Sequence, residues 1–109
     1  MSTIKSSRDI QAIFSRSRRV AHPLVVALIA RTPEGRGREG RVVFVAGKRI
    51  GNAVTRNRAK RVLRAAYRIR GGSWPGYDIA LVAREGTGTA KPDELLAALE
   101  DVVSRGGAA

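Results

Sequence analysis

Arg56, Lys60, Arg64 and Arg68 recur at four-residue intervals, so on a helix they stand in one like-charged row. Each such i,i+4 pair of like charges costs about 0.2–0.5 kcal/mol when nothing neutralises it. A series of them suits closely spaced phosphates. Lys48, Arg49, Arg58 and Arg61 lie in the same block, and Asn57 can both donate to and accept from a sugar or base. Gly51 permits close backbone approach, and Gly51-Asn52 opens the helix. Of 21 basic residues 17 are arginine, whose planar fork matches phosphate oxygens and whose face stacks on bases. The net charge of +12 is not evenly spread. Residues 40–77 hold ten basic side chains and no acidic one, whereas residues 78–109 hold six acids and three bases. Base content of a genome can favour arginine over lysine, but it does not segregate charge. The middle of the chain therefore calls for an external polyanion or plain solvent.

The other reactive residue types form no site. Cysteine is absent, which excludes disulfides, thiolate metal sites and cysteine nucleophiles and suits a reducing compartment. His22 is the only histidine and stands beside Pro23 without an obvious carboxylate or serine partner. The nine carboxylates make no close cluster suited to two metals or to acid–base work. No catalytic residue and no metal ligand is assigned. Gly35 to Gly40 formally match G-x-G-x-x-G but precede a strand instead of opening a helix, so the dinucleotide reading fails on context. Gly86 to Lys91 lack the spacing of a phosphate-binding loop. Trp74 and Tyr77 flank Pro75-Gly76 and read as loop anchors more than base readers. The longest apolar run, Leu24 to Ala30, is far too short to cross a bilayer, and no secretory pattern follows Lys5 and Arg8. The expectation is a soluble cytoplasmic protein with no membrane and no protein partner.

The elements that must position these residues follow from periodicity. Ser6 or Ser7 caps a helix over roughly 7–16, with Ile10, Ile13 and Phe14 at helical spacing. Residues 18–21 and 24–31 read as strands separated by His22-Pro23, and 32–40 as a flexible loop. A valine-rich strand covers 41–46, and a long helix runs to about Arg70, closed by Gly71-Gly72. A fourth strand covers 78–84. Pro92 starts a last helix with Asp93 and Glu94 in its first turn and Leu95, Leu96, Leu99, Val102 and Val103 on a buried face. One domain spans 1–109, with a disordered tail from about Gly106. The strand–helix–strand unit from residue 41 to 84 points to a mixed sheet packed by helices, an α+β sandwich.

At about 100° per residue, Val54, Ala59, Val62, Leu63, Ala65, Ala66 and Ile69 share one half of the long helix. Arg56, Asn57, Lys60, Arg61, Arg64, Tyr67 and Arg68 share the other, and Arg58 interrupts the apolar half near its edge.

The block from Gly47 to Arg64, with Arg56-Asn57-Arg58-Ala59-Lys60-Arg61 at its centre, closely resembles the signature of the bacterial ribonuclease P protein family. Pro75-Gly76-Tyr77-Asp78-Ile79, Ala83-Arg84 and the stretch Asp9 to Phe14 followed by Val20-Ala21 extend the resemblance over nearly the whole chain. It implies an α-β-β-β-α-β-α fold with a four-stranded mixed sheet, like the second domain of ribosomal protein S5, and a left-handed β-α-β crossover, against the usual rule. It also implies the partners: a catalytic RNA, contacted by the basic block, and the 5′ leader of precursor tRNA. The leader would lie in a cleft between the first helix and the sheet, carried over here to Ile10, Phe14, Val26 and Leu28. Family members commonly carry aromatic residues at the places of Ile10 and Leu28, so this cleft would offer more apolar packing than stacking. The Mg²⁺ ions would belong to the RNA subunit. Other classes stay open, namely a ribosomal or general RNA-binding protein, and a protein-only nuclease. If six to ten phosphate contacts carry the affinity, RNA binding falls roughly 10³–10⁵-fold between 50 and 200 mM salt. A filter-binding titration that stays flat over that range contradicts the basic-face assignment.

Overall fold

Short runs rich in valine and isoleucine extend rather than coil, because branching at Cβ restricts side-chain rotation in a helix but packs well on a pleated surface. In the computed structural model, which describes residues 2–3, 11, 14–15, 17–32, 40–72 and 74–108, these runs form β2 (Arg18–His22), β3 (Val25–Arg31), β4 (Arg41–Val45) and β5 (Tyr77–Ala83). A two-residue strand, β1 (Ser2–Thr3), precedes them. The sheet order is β1-β4-β5-β3-β2. β4 pairs in parallel with both β1 and β5, while β3 pairs antiparallel with β5 and β2. The mixed α+β sheet matches the expectation, with β1 added as a fifth strand at the edge. Two polar residues carry no alternation to read. Their pairing with Arg41 and Val42 uses backbone groups that β4 leaves open on that side.

The turn between β2 and β3 is closed by His22, whose Nδ1 accepts the Leu24 N–H at 3.0 Å. The histidine is thereby structural. Around the expected first helix, Gln11, Phe14 and Ser15 have helical backbone. The remainder of that segment, including Ile10, and the loop 33–39 lie outside the described residues.

Two helices cover one face of the sheet: α1 (Ala53–Arg70) and α2 (Pro92–Arg105). Alternate residues of the strands, Val25, Ala27 and Ile29 of β3, Val42 and Phe44 of β4, and Ile79 and Leu81 of β5, are buried against them. Leu95, Leu99, Val102 and Val103 of α2 fill the same core, as their spacing predicts, and Leu96 is half-buried. Glu94 Oε1 accepts the Lys91 N–H at 3.4 Å and so ties the first turn of α2 to the residue before it. Residues 106–108, assigned by sequence to a free tail, turn back on that helix. Gly106 and Ala108 donate to Val102 and Val103, and the Tyr77 hydroxyl donates to Gly107 O at 3.3 Å.

The orientation of α1 departs from the helical-wheel reading. Its buried residues are Ala59, Leu63, Ala66 and Tyr67, whereas Ala65 is exposed and Val54 and Ile69 are 77% and 61% exposed. The buried stripe is centred about 80° around the helix from the middle of the apolar half, toward the cationic side. Aromatic volume decides this. The ring of Tyr67 packs edge-on to Phe44 at 5.6 Å and lies 6.1 Å from Trp74, which is itself buried. Burying a large ring is worth more than burying the methyls at the two ends of the helix. Leu63→Ala should lower the unfolding free energy by about 2–5 kcal/mol. Ile69→Ala should change it by less than about 0.5 kcal/mol. Urea denaturation of the two variants followed by circular dichroism checks this, and equal losses would restore the sequence-derived face.

Candidate nucleic-acid interface

Just before α1, Lys48–Ile50 form a single 3-10 turn and put Lys48 and Arg49 on the surface. Gly51 follows at φ +138°, ψ −162°, a conformation L side chains rarely adopt, and a Cβ there would meet the Thr55 side chain at 3.0 Å. The helix then starts at Asn52, whose Oδ1 accepts the Thr55 N–H at 3.0 Å. These two residues, expected at an RNA contact, thus also set where α1 begins. At the other end Gly71 takes the left-handed conformation and donates to Tyr67 O and Arg68 O.

Because α1 buries only a narrow stripe, its exposed side divides in two. Asn57, Arg61, Arg64 and Arg68 form an outer cationic row, with Arg56 and Lys60 half-buried along its edge toward the core. Arg64 is steadied over the Phe44 ring, 5.4 Å from its centroid. Arg58 does not belong to this row. It stands with Val54 and Thr55 on the adjoining side of the helix, about a quarter-turn from the centre of the row, where the three line a groove of about 240 Å³ against Gly88 and Thr89. The helical period already set Arg58 apart from that row, and the structure adds the groove that it faces.

Within the described residues, none of Arg56, Arg58, Lys60, Arg61, Arg64 and Arg68 forms an ion pair. Among the α1 cations only Arg70, its last residue, meets a carboxylate, Glu100 at 3.2 Å, and it also lies over the Trp74 ring at 4.1 Å. The acids of residues 78–109 serve other ends. Asp78 is buried and accepts from the Arg41 N–H and the Thr32 hydroxyl, and Asp101 pairs with Arg105 at 2.8 Å. Trp74 and Tyr77 anchor their loop, as expected.

The opposite face of the sheet carries a second apolar cluster, in which Val26 and Leu28 join Ala30, Val43 and Ala80. Phe14 is 47% exposed. Val26 also opens onto a larger groove of about 620 Å³, which sequence reading missed. Its cationic lining comes from Arg19 on β2, Arg49 before α1 and Arg84 after β5. No spacing in the chain signals that these three converge, since they lie on separate elements and meet only through the sheet register. Arg49 therefore belongs with this groove and not with the outer row of α1. The described residues hold no group of three His, Cys, Asp or Glu placed to bind a metal ion, and no described helix is long and apolar enough to cross a membrane.

A family model described as Ribonuclease P matches residues 1–106. The ribonuclease P protein component of Symbiobacterium thermophilum is 35% identical over 108 residues, covering 95% of this chain and 90% of that protein. The counterpart from Exiguobacterium sibiricum is 33% identical over 106 residues, covering 95% and 89%. Two solved structures share the fold. The RNase P protein of Staphylococcus aureus superposes with a TM-score of 0.80 at 24% identity, covering 99% of this chain and 97% of that one. That of Thermotoga maritima gives 0.78 at 22%, covering 96% and 97%.

The cap at the head of α1 can be tested apart from RNA. Asn52→Ala should cost about 1 kcal/mol of stability by leaving the Thr55 N–H without its acceptor, and Asn52→Asp, which keeps an acceptor oxygen, should recover most of it. Urea midpoints for the three proteins check this; an unchanged midpoint in the alanine variant removes the capping role.

Proposed function

The chain belongs to the ribonuclease P protein family, and from that membership we propose that it is the protein subunit that helps a catalytic RNA remove the 5′ leader of precursor tRNA. One observation carries the reading: the exposed row Arg61-Arg64-Arg68 on α1, inside a segment with no carboxylate from residue 40 to residue 77.

That row faces solvent with no compensating carboxylate among the described residues, which is the arrangement a folded RNA can neutralise. Structured RNA is read through phosphate placement and shape, and a helix of 18 residues offers about 27 Å of contact along its axis. In this reading α1 holds the catalytic RNA through Arg56, Asn57, Lys60, Arg61, Arg64 and Arg68, with Lys48 at the approach to the helix. The single-stranded leader takes the other face of the sheet. There Val26 and Leu28 offer an apolar floor, and Arg19, Arg49 and Arg84 supply cations for its phosphates. Arg58, on the groove side of α1, joins the leader surface.

The protein's work is then electrostatic and positional. Two polyanions repel each other, and a subunit with a net charge of +12 placed against both lowers that repulsion and fixes the leader relative to the cleavage site. Hydrolysis itself is assigned to the RNA subunit, whose Mg²⁺ ions would activate water and stabilise charge at the scissile phosphate. The absence of cysteine suits the cytoplasm as the place of work.

The test is cleavage of a precursor tRNA at low Mg²⁺ by the cognate catalytic RNA, with and without the protein. Stimulation at the correct 5′ site that grows with leader length supports the reading. Absence of stimulation from a folded protein, with the RNA active at high Mg²⁺, leaves only a general RNA binder. The variant carrying Arg58→Ala, Arg61→Ala and Arg68→Ala should unfold at the same urea concentration. Its logarithmic salt dependence of binding to the catalytic RNA should be shallower by about 1.4–1.8, at roughly 0.7–0.9 for each phosphate that Arg61 and Arg68 no longer neutralise.

A further inference from the structure

The two grooves described above are not separate. Both are lined by Ile50, Arg84 and Glu85, so they meet at the turn that follows β5. Among the described residues Glu85 is the only acidic one lining either groove, with Arg19, Arg49 and Arg84 on one side and Arg58 on the other. It is exposed, and it has no ion pair or hydrogen bond with any described residue despite these neighbours.

The turn that carries it is held firmly. Thr87, fully buried, accepts the Arg84 N–H at 2.8 Å and donates to Leu24 O at 2.5 Å, tying the turn to the start of β3. Thr87 N–H donates in turn to Arg84 O at 3.0 Å. Arg84 and Glu85 therefore project from a fixed backbone into the junction of the grooves, and little ordering is needed when a ligand arrives.

A carboxylate here works against simple phosphate binding. Where a nucleic-acid strand lies with its phosphates on the arginines, the group left facing the carboxylate is a base edge. Carboxylates accept hydrogen bonds from the amino groups of bases. We infer that Glu85 is a specificity-determining residue for the single-stranded RNA of this groove, accepting hydrogen bonds from an amino-bearing base at one position. Guanine fits best, since its N1–H and N2–H point the same way and match the two carboxylate oxygens. Cytosine and adenine each offer an amino group beside a ring-nitrogen acceptor, and uracil offers one N–H between two carbonyls that repel the carboxylate. The inference rests on the leader-binding reading above and adds to it a preference that an all-arginine groove would lack.

The experiment uses the holoenzyme reconstituted with its cognate RNA at low Mg²⁺, and precursor tRNAs in which one guanosine is stepped through an otherwise all-uridine leader. Competitive kcat/KM values should show one position where guanosine is preferred over uridine by about five- to tenfold, the lower part of the range for a bidentate base contact, as suits an exposed carboxylate. Glu85→Ala should abolish that preference while raising kcat/KM on the all-uridine leader, because a negative charge is removed from the phosphate path. Glu85→Gln should reduce the guanosine preference and favour adenosine, which an amide meets with one donor and one acceptor. A preference that survives Glu85→Ala overturns the inference. So does a wild-type holoenzyme that responds to leader length but discriminates at no position. If the wild-type protein stimulates no leader at all, the leader reading fails first and takes this inference with it.

Discussion

The structure depends on how α1 seats on the sheet. Ala59 and Ala66 are small enough to let the helix approach closely, and Leu63 and Tyr67 fill the space between β4 and the rest of the core. A stripe this narrow holds the helix with a minority of its circumference. The remainder, including Val54 and Ile69, is left to solvent. Had the whole apolar half been buried, Arg58 would have been pressed toward the core and the two cationic surfaces would not exist. The aromatic trio of Phe44, Tyr67 and Trp74 fixes the rotation, because turning the helix further would expose a large ring and withdraw it from its two neighbours.

The two ends of the central strand β5 are built differently, and the difference divides structure from function. At its start Asp78 is buried and binds the Arg41 N–H, the Arg41 guanidinium at 3.9 Å and the Thr32 hydroxyl, which gathers β3, β4 and β5 at one edge of the core. Its charge is satisfied internally and has nothing to offer a ligand. At its end Thr87 fixes the backbone with a neutral hydroxyl, which leaves the charged groups Arg84 and Glu85 outward in the grooves. The sheet thus spends its buried carboxylate on architecture at one end and presents charge without an ion-pair partner among the described residues at the other.

Much of this was legible in the sequence. The four main strands, both described helices and the packed face of α2 follow from periodicity and punctuation. Pro92 and the acids after it, Gly71 after the last turn of α1, and the unbroken apolar run of β3 are strong local signals. The basic block and its resemblance to the ribonuclease P protein family led directly to the membership that the family match bears out. Other features left no trace. β1 is a backbone pairing made by two residues without a pattern, and the turn after α2 is stabilised by contacts with Tyr77 and the helix end. The wheel went astray at Tyr67, because counting a tyrosine with the polar residues ignores a ring that is mostly hydrocarbon.

By itself, then, the sequence determined the composition of the cationic surface of α1: which cations are available, that no carboxylate near them in sequence compensates, and that they ride on one amphipathic helix. Charge content and helical period are local properties and survive without knowledge of the fold. Only the tertiary structure decided how those cations are shared out. It set Arg58 against Gly88 and Thr89 at one groove, and it brought Arg19, Arg49, Arg84 and Glu85 from distant parts of the chain to another. Strand register and helix rotation are set by packing between elements, and a linear pattern of residues does not contain that information.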